Sequence, residues 1–322
     1  MDDKLYGVDL FGNSAKPKPT GMVTQRFEFA PFSILDARQG EWQERKRAWT
    51  ALGISGEQGR DAPCQMGGDN MASYMPKFDT GTSIFDPVIC ELMYRWFSPL
   101  GGQVLDPFAG GSVRGIVAKT LGRKYWGCDL RTEQIEANIK QAETIFEGYE
   151  GHSGKLNGLE GLDLEWVAGD SAIMLASAPK ANFLFSCPPY GDLEVYSDKP
   201  SDLSNMDWPD FLTMYKLIIN LAVKKMSDNS FACFVVGDFR DKNGFYRNFV
   251  SETIDAFLKA GCMLYNEAIL VTAVGTAALR VTKQFNSGRK LCKTHQNVLV
   301  FCKGNPKIAA QKCIGDNNAT TD

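Results

Sequence analysis

Histidine is almost missing from this 322-residue sequence: His152 and His295 are the only two. With so few imidazoles and no Cys-x-x-Cys pair, a zinc site of the usual Cys/His spacing is not expected, and no metal is assigned. The nine cysteines are odd in number and scattered through segments that read as strands and helices, so they are expected as reduced, buried thiols. Long apolar runs are absent too. None approaches the roughly eighteen residues that a membrane-spanning helix needs, and Met1-Asp2-Asp3-Lys4 lacks the basic-then-apolar layout of a secretory signal. A cytoplasmic protein without membrane contact is the expectation. A charge excess is also lacking: the formal net charge is -3, which excludes a uniformly basic binder but leaves room for a local basic cleft.

What is present is enough apolar residue, 44%, to fill a substantial core. Apolar positions at three-to-four-residue spacing (Ile84, Val88, Ile89, Leu92, Met93, Trp96, Phe97) predict a helix that leads to a strand at Gln103 to Leu105. Helices over 113–121 and 132–147 then alternate with strands at 123–129, 164–168 and 181–185. Further on, helices over 208–226 and 246–260 alternate with strands at 230–237, 263–272 and 295–302. Such alternation predicts an α/β fold with a mostly parallel, doubly wound sheet. Residues 1–75 read as an N-terminal arm or extension, 76–304 as the main domain and 305–322 as a flexible tail. Within the extension, Trp42, Arg45, Lys46 and Trp49 recur at helical spacing.

Two stretches stand out. Asp106-Pro107-Phe108-Ala109-Gly110-Gly111 follows a strand and opens a helix, and Phe185-Ser186-Cys187-Pro188-Pro189-Tyr190 ends another strand about eighty residues later. Each alone has a structural reading, a glycine turn of a doubly wound domain and a strand stopped by two prolines that cannot donate to a ladder. In this order the pair resembles the S-adenosylmethionine-dependent DNA amino-methyltransferases of phage or prokaryotic type, which methylate adenine N6 or cytosine N4. The resemblance covers roughly residues 80 to 304. It implies a Rossmann-like class I methyltransferase fold, S-adenosylmethionine as cofactor and DNA as partner, and it admits a cognate restriction nuclease as a further partner.

For the cofactor, glycines at 110 and 111 allow close backbone approach. Asp129, about twenty residues on and ending the next strand, stands where a carboxylate can accept ribose hydroxyls. The glycine pattern does not make a good G-x-G-x-x-G, which argues against a dinucleotide. The resemblance implies cofactor contacts at Ser83, Phe85, Asp106, Phe108, Gly110, Gly111, Asp129, Asp170 and Ser171. The segment Thr82 to Pro87 resembles the element that closes over the methionine part; it reads equally as a helix cap at Ser83 or Asp86.

The same resemblance makes Cys187, Pro188, Pro189 and Tyr190 the catalytic stretch, with Tyr190 the flat surface that receives a base drawn from the stack. Methylating an exocyclic amine needs acceptors aimed at its hydrogens. This chain has Cys187 where the family has Asp, Asn or Ser, and a thiol accepts poorly. The carbonyls of Cys187 and Pro188 remain available, with Ser186 or Asp192 as assistants. A nucleophilic role for Cys187, as in cytosine C5 methylation, lacks the companion Glu-Asn-Val motif. The loop Asp192 to Asp198 reads either as a lid or as a solvated loop.

Nucleic-acid contact is expected from Arg280, Lys283, Arg289, Lys290 and Lys293, a basic stretch without an acid before the last strand; its other reading is a solvated loop. Arg38, Arg45, Lys46 and Arg47 with Trp42 and Trp49 make a second candidate, or else a helix packed on the main domain. No insertion is long enough for a separate recognition domain. The alternatives to DNA methylation are an RNA base N-methyltransferase and a non-catalytic nucleic-acid-binding subunit that keeps the fold.

Overall fold

The computed structural model describes residues 27–54, 85–146, 163–191, 201–275 and 277–314. The strands are β1 (Ile34–Asp36), β2 (Gln103–Asp106), β3 (Lys124–Asp129), β4 (Leu164–Ala168), β5 (Ala181–Ser186), β6 (Met226–Val236), β7 (Met263–Val271) and β8 (His295–Lys303). They form one sheet in the order β1-β7-β8-β6-β5-β2-β3-β4. Every pairing is parallel except those of β8, which runs antiparallel to both β6 and β7.

The central strands are apolar on both faces because both faces are covered. Along β5, Phe183 and Phe185 point into one core and Leu184 into the other, and along β6 Phe231, Cys233 and Val235 alternate with Ala232, Phe234 and Val236. The first core is closed by α1 (Gly40–Ala51), α2 (Pro87–Phe97), α3 (Val113–Thr120) and α4 (Thr132–Ile145). The second lies under α5 (Ser171–Met174), α6 (Trp208–Lys225) and α7 (Phe249–Lys259). Close packing of α3 on β4 depends on Gly115, where a Cβ would stand 2.5 Å from the Trp166 ring.

The N-terminal extension takes one of its two readings, and two further segments differ from the sequence expectation. The extension joins the fold: β1 pairs in parallel with β7, and α1 packs through buried Trp42, Arg45 and Trp49. Arg45 gives one Nε–H to Glu91 of α2 at 2.5 Å, and Trp49 donates to the same carboxylate at 2.8 Å. Helix packing, the second of the two readings for this basic segment, is therefore what its arginine serves. The first part of the basic stretch before β8, with Arg280 and Lys283, forms a helix, α8 (Ala277–Gly288), while Arg289, Lys290 and Lys293 follow it in irregular chain. The tail begins with α9 (Pro306–Cys313), capped by the Asn305 side chain and anchored by buried Ala309 and Cys313.

Candidate active site

Chain order reverses between β2 and β5: β3 and β4 lie to one side, β5, β6 and β8 to the other. Ligands of open α/β sheets bind outside the carboxyl ends of the strands at such a switch point. Here Asp106 ends β2 and Ser186 ends β5, beneath a cavity of about 910 Å³.

Asp106 was expected at the cofactor, but its carboxylate is fully buried and is not among the lining residues. It accepts hydrogen bonds from Ser186 Oγ at 2.6 Å, Arg114 Nε at 2.5 Å, Tyr125 Oη at 2.7 Å and the Phe108 amide at 3.2 Å. Arg114 in turn donates to the carbonyls of Phe108 and Ala109 at 2.6 and 2.8 Å. Burial works against the Arg114 charge, but the adjoining Asp106 outweighs it and lifts the guanidinium pKa above its ordinary value. Asp106 is thus a tie between the glycine loop and the Cys-Pro-Pro-Tyr loop. Ser186 is fully buried beneath the cavity and is not among its lining residues, so the structure does not bring its hydroxyl to the cavity wall.

On the β3–β4 side, Gly110 sits at φ +50°, the left-handed region that favours glycine. A Cβ on Gly110 or Gly111 would meet no protein atom within 4 Å, and both glycines line the cavity. Asp129 accepts from the amides of Gly110 at 3.0 Å and Arg131 at 2.9 Å. Burial raises its carboxyl pKa above the ordinary range, opposed by those amides and the Arg131 charge. A polar ladder on α4 supports the turn: Arg131 donates to Gln134 at 2.6 Å, Gln134 to Asn138 at 3.0 Å and Asn138 to the Gly110 carbonyl at 2.7 Å. Asp170 caps α5 by accepting from the Ala172 amide at 2.8 Å, and Ser171 pins the Pro107 carbonyl at 2.6 Å.

Phe85, Phe108, Asp170 and Ser171 all line the cavity. Phe85 lies edge-on to Phe185, and the Arg114 guanidinium stacks on it at 4.6 Å. Asp86 caps α2 through the Val88 amide at 2.9 Å, while Trp42 and Lys46 of α1 each reach its other oxygen at 3.2 Å. Through this contact Gln43 and Lys46 of the extension reach the cavity wall. Ser83 and the loop from Asp192 to Asp198 lie outside the described residues.

On the β5–β6 side, Cys187, Pro188, Pro189 and Tyr190 line the cavity. The Tyr190 ring is held edge-on by Phe239 and Phe249, each 5.9 Å away, and its hydroxyl accepts from Gln296 Nε2 at 2.8 Å. Of the five basic residues expected at nucleic acid, Arg280 and Lys293 line the cavity, whereas Lys283, Arg289 and Lys290 do not. Burial lowers the Lys293 pKa and the Asp238 charge opposes that shift. Asp238 and Gln296 went unread in the sequence. Their signal was position, since Asp238 stands two residues past the end of β6 and Gln296 is the second residue of β8.

An eight-stranded sheet of this order, with its one reversed strand beside the edge pair and a cavity over the switch point, is a doubly wound, Rossmann-like α/β fold. No protein-family model matches the sequence, and no curated protein does. Solved structures similar to it include TrmN from Thermus thermophilus, at 14% identity and a TM-score of 0.43 over 68% of this chain. The match takes in 49% of TrmN, so the chain spans about half that protein's length. A TehB-like SAM-dependent methyltransferase from Corynebacterium glutamicum gives 15% identity and a TM-score of 0.39, over 69% of this chain and 90% of that one. A second Thermus thermophilus protein, described provisionally as a DNA modification methylase, gives 16% and 0.31, over 42% and 50%. Among the described residues no helix is long and apolar enough to cross a membrane.

Proposed function

We propose that this protein transfers the methyl group of S-adenosylmethionine to an exocyclic amine of a DNA base, adenine N6 or cytosine N4, in a nucleotide turned out of the duplex. The observation that carries this reading is that the glycine loop after β2 and the Cys-Pro-Pro-Tyr loop after β5 open into one cavity. Its volume lies at the upper end of ligand pockets, roughly 300–1,000 Å³, as room for a nucleoside-sized cofactor and a base requires. The lining fits the cofactor's chemistry. Open space beside Gly110 and Gly111 admits close backbone contact, Asp129 retains acceptor capacity for a diol, and Asp170 and Ser171 suit a purine edge. When bound, S-adenosylmethionine supplies an electrophilic methyl group on a sulfonium.

The chain's own residues then orient the amine. Tyr190, fixed by Phe239, Phe249 and Gln296, offers the stacking surface. Acceptors come from the main-chain carbonyls of Cys187 and Pro188, and Asp238 is the side-chain carboxylate on this side of the cavity that the loop itself lacks. Asp238 is already oriented, accepting from the Val250 amide at 3.2 Å. The amine's hydrogens are thereby drawn toward fixed acceptors, which favours a nucleophilic, pyramidal nitrogen.

The test is transfer of labelled methyl from S-adenosylmethionine to unmethylated genomic DNA and, separately, to total RNA, with the product nucleosides identified by mass spectrometry. N6-methyladenine or N4-methylcytosine in DNA is the expected product. Label only in RNA, or in neither, would overturn the reading.

A further inference from the structure

The connection from β6 to α7 folds as a small closed hairpin. Arg240 and Tyr246 form an antiparallel bridge, the Asp241 amide donates to the Phe245 carbonyl at 2.8 Å, and the Arg247 amide donates to the Phe239 carbonyl at 2.9 Å. The Phe245 amide returns a bond to the Asp241 carboxylate at 2.8 Å, and Arg240 donates to the Gly244 carbonyl at 2.8 Å while stacking 4.0 Å over the Tyr246 ring. These contacts are all local, so the hairpin keeps its shape by itself. Its tip nevertheless holds Phe245 at 73% exposure and Tyr246 at 41%. Two adjacent aromatic rings held in water at the tip of a closed hairpin are open to contact by a partner. The hairpin's base is Phe239, which lines the cavity and braces Tyr190.

The surrounding charge is predominantly basic. Arg240 and Lys242 belong to the hairpin, and Lys290, just past α8, lies so near the tip that a Cβ on Gly244 would stand 2.6 Å from its Nζ. Arg289 stacks 5.1 Å over Phe285 on the same helix end. The nearby carboxylates are engaged, Asp241 by the Phe245 amide and Asp238 by the Val250 amide beside Lys293. Cations interleaved with presented aromatic rings complement a duplex, whose phosphates take the charge and whose base steps admit an apolar wedge.

We propose that residues 239–247 are a wedge that enters the base stack of duplex DNA beside the target nucleotide, Phe245 filling the space an extruded base leaves and Lys242 and Lys290 gripping the flanking phosphates. This rests on the reading of the cavity as the seat of an extruded base, and adds the element that keeps the duplex open behind it.

The experiment compares the unaltered protein with Phe245→Ala, Lys242→Ala and Lys290→Ala by fluorescence anisotropy. The probes are an end-labelled DNA duplex with one central abasic position, the intact duplex, and single-stranded RNA of the same sequence. The unaltered protein should prefer the abasic duplex, where the gap is already made. Phe245→Ala should bind it about tenfold more weakly, in keeping with the loss of one aromatic–base stack. Each lysine variant should lower the slope of log affinity against log salt by about one. S-adenosylmethionine affinity, measured by calorimetry, should not move in any of the three.

Equal binding by Phe245→Ala and the unaltered protein would overturn the wedge, as would a parallel loss of cofactor affinity or a preference for RNA over the duplex. Failure of the methylation reading is separable. Hairpin-dependent duplex binding without any methylated nucleoside would overturn the proposed function and uphold the wedge. Methylated DNA formed by Phe245→Ala at unchanged KM would overturn the wedge alone.

Discussion

Glu91 should hold the N-terminal extension to the rest of the fold, and replacing it with glutamine should loosen both stability and cofactor binding. The carboxylate is fully buried and accepts from Arg45 Nε at 2.5 Å, Trp49 Nε1 at 2.8 Å and Arg95 Nε at 2.9 Å. Burial alone would raise its pKa, but the Arg45 charge and hydrogen bonds, with Arg95 and Trp49, outweigh it and hold it at about 2 against an ordinary 4.5. That difference corresponds to about 3 kcal/mol of stability at neutral pH. Because the folded-state value is the lower one, the contribution is complete above about pH 4.5 and fades as the pH falls toward about 2.

Glu91→Gln deprives Arg45, only 4% exposed, of that countercharge but leaves it Glu28 at 3.3 Å, so the cost lies at the lower end of the roughly 3–5 kcal/mol for breaking a buried pair. For a chain of this size the thermal midpoint at pH 7 should fall by roughly 4–7 °C. S-adenosylmethionine should also bind more weakly, since α1 carries Gln43 and Lys46 to the cavity wall. Thermal melts of both proteins from pH 7 down to pH 3, followed by circular dichroism, would read the effect. A midpoint difference under about 2 °C at pH 7, or one that stays constant down to pH 3, would refute the reasoning.

Tyr190→Ala should leave cofactor affinity unchanged while lowering turnover about a hundredfold or more, as expected for a group that positions the reacting base; pre-steady-state transfer and calorimetry separate the two effects. Loss of cofactor affinity there would show that the two halves of the cavity are assigned the wrong way round. Asp129→Ala should weaken S-adenosylmethionine binding about tenfold to a hundredfold, the worth of hydrogen bonds to a charged acceptor. In the unaltered protein that affinity should fall on acidification, beginning at a pH above the ordinary aspartate range because burial raises the Asp129 pKa. Calorimetry across a pH series tests both statements.

The strands from β2 to β6, and β8, were legible because their apolar runs are buried on both faces and are punctuated by glycine, proline or acid. The two loops were legible because glycine and proline at those positions carry backbone meaning by themselves. β1 was not: three residues give no periodicity, and what makes them a strand is a partner more than two hundred positions away. α8 was obscured because Leu279 and Phe285 are left exposed beside Arg280 and Lys283 instead of forming a buried stripe. α9 depends on tertiary burial of Ala309 and Cys313, which composition near a chain end does not announce. Asp106 illustrates the same limit inside the site. Its place in a cofactor motif was readable, but its engagement by Ser186, Arg114 and Tyr125 was created by folding.

The pairing of β1 with β7 bears on where this protein can be cut. The resemblance to the methylases begins near residue 80, and a chain shortened to start there would look complete by its motifs. It would nonetheless lose the three paired residues along β7 from Ile269 to Val271 and the helix that shields Glu91. A sheet edge of unpaired amides, next to the exposed Met263, Leu264 and Tyr265 of the same strand, is a template for association between chains. The shortened protein should therefore collect as insoluble aggregate, and the smallest unit that folds begins ahead of β1.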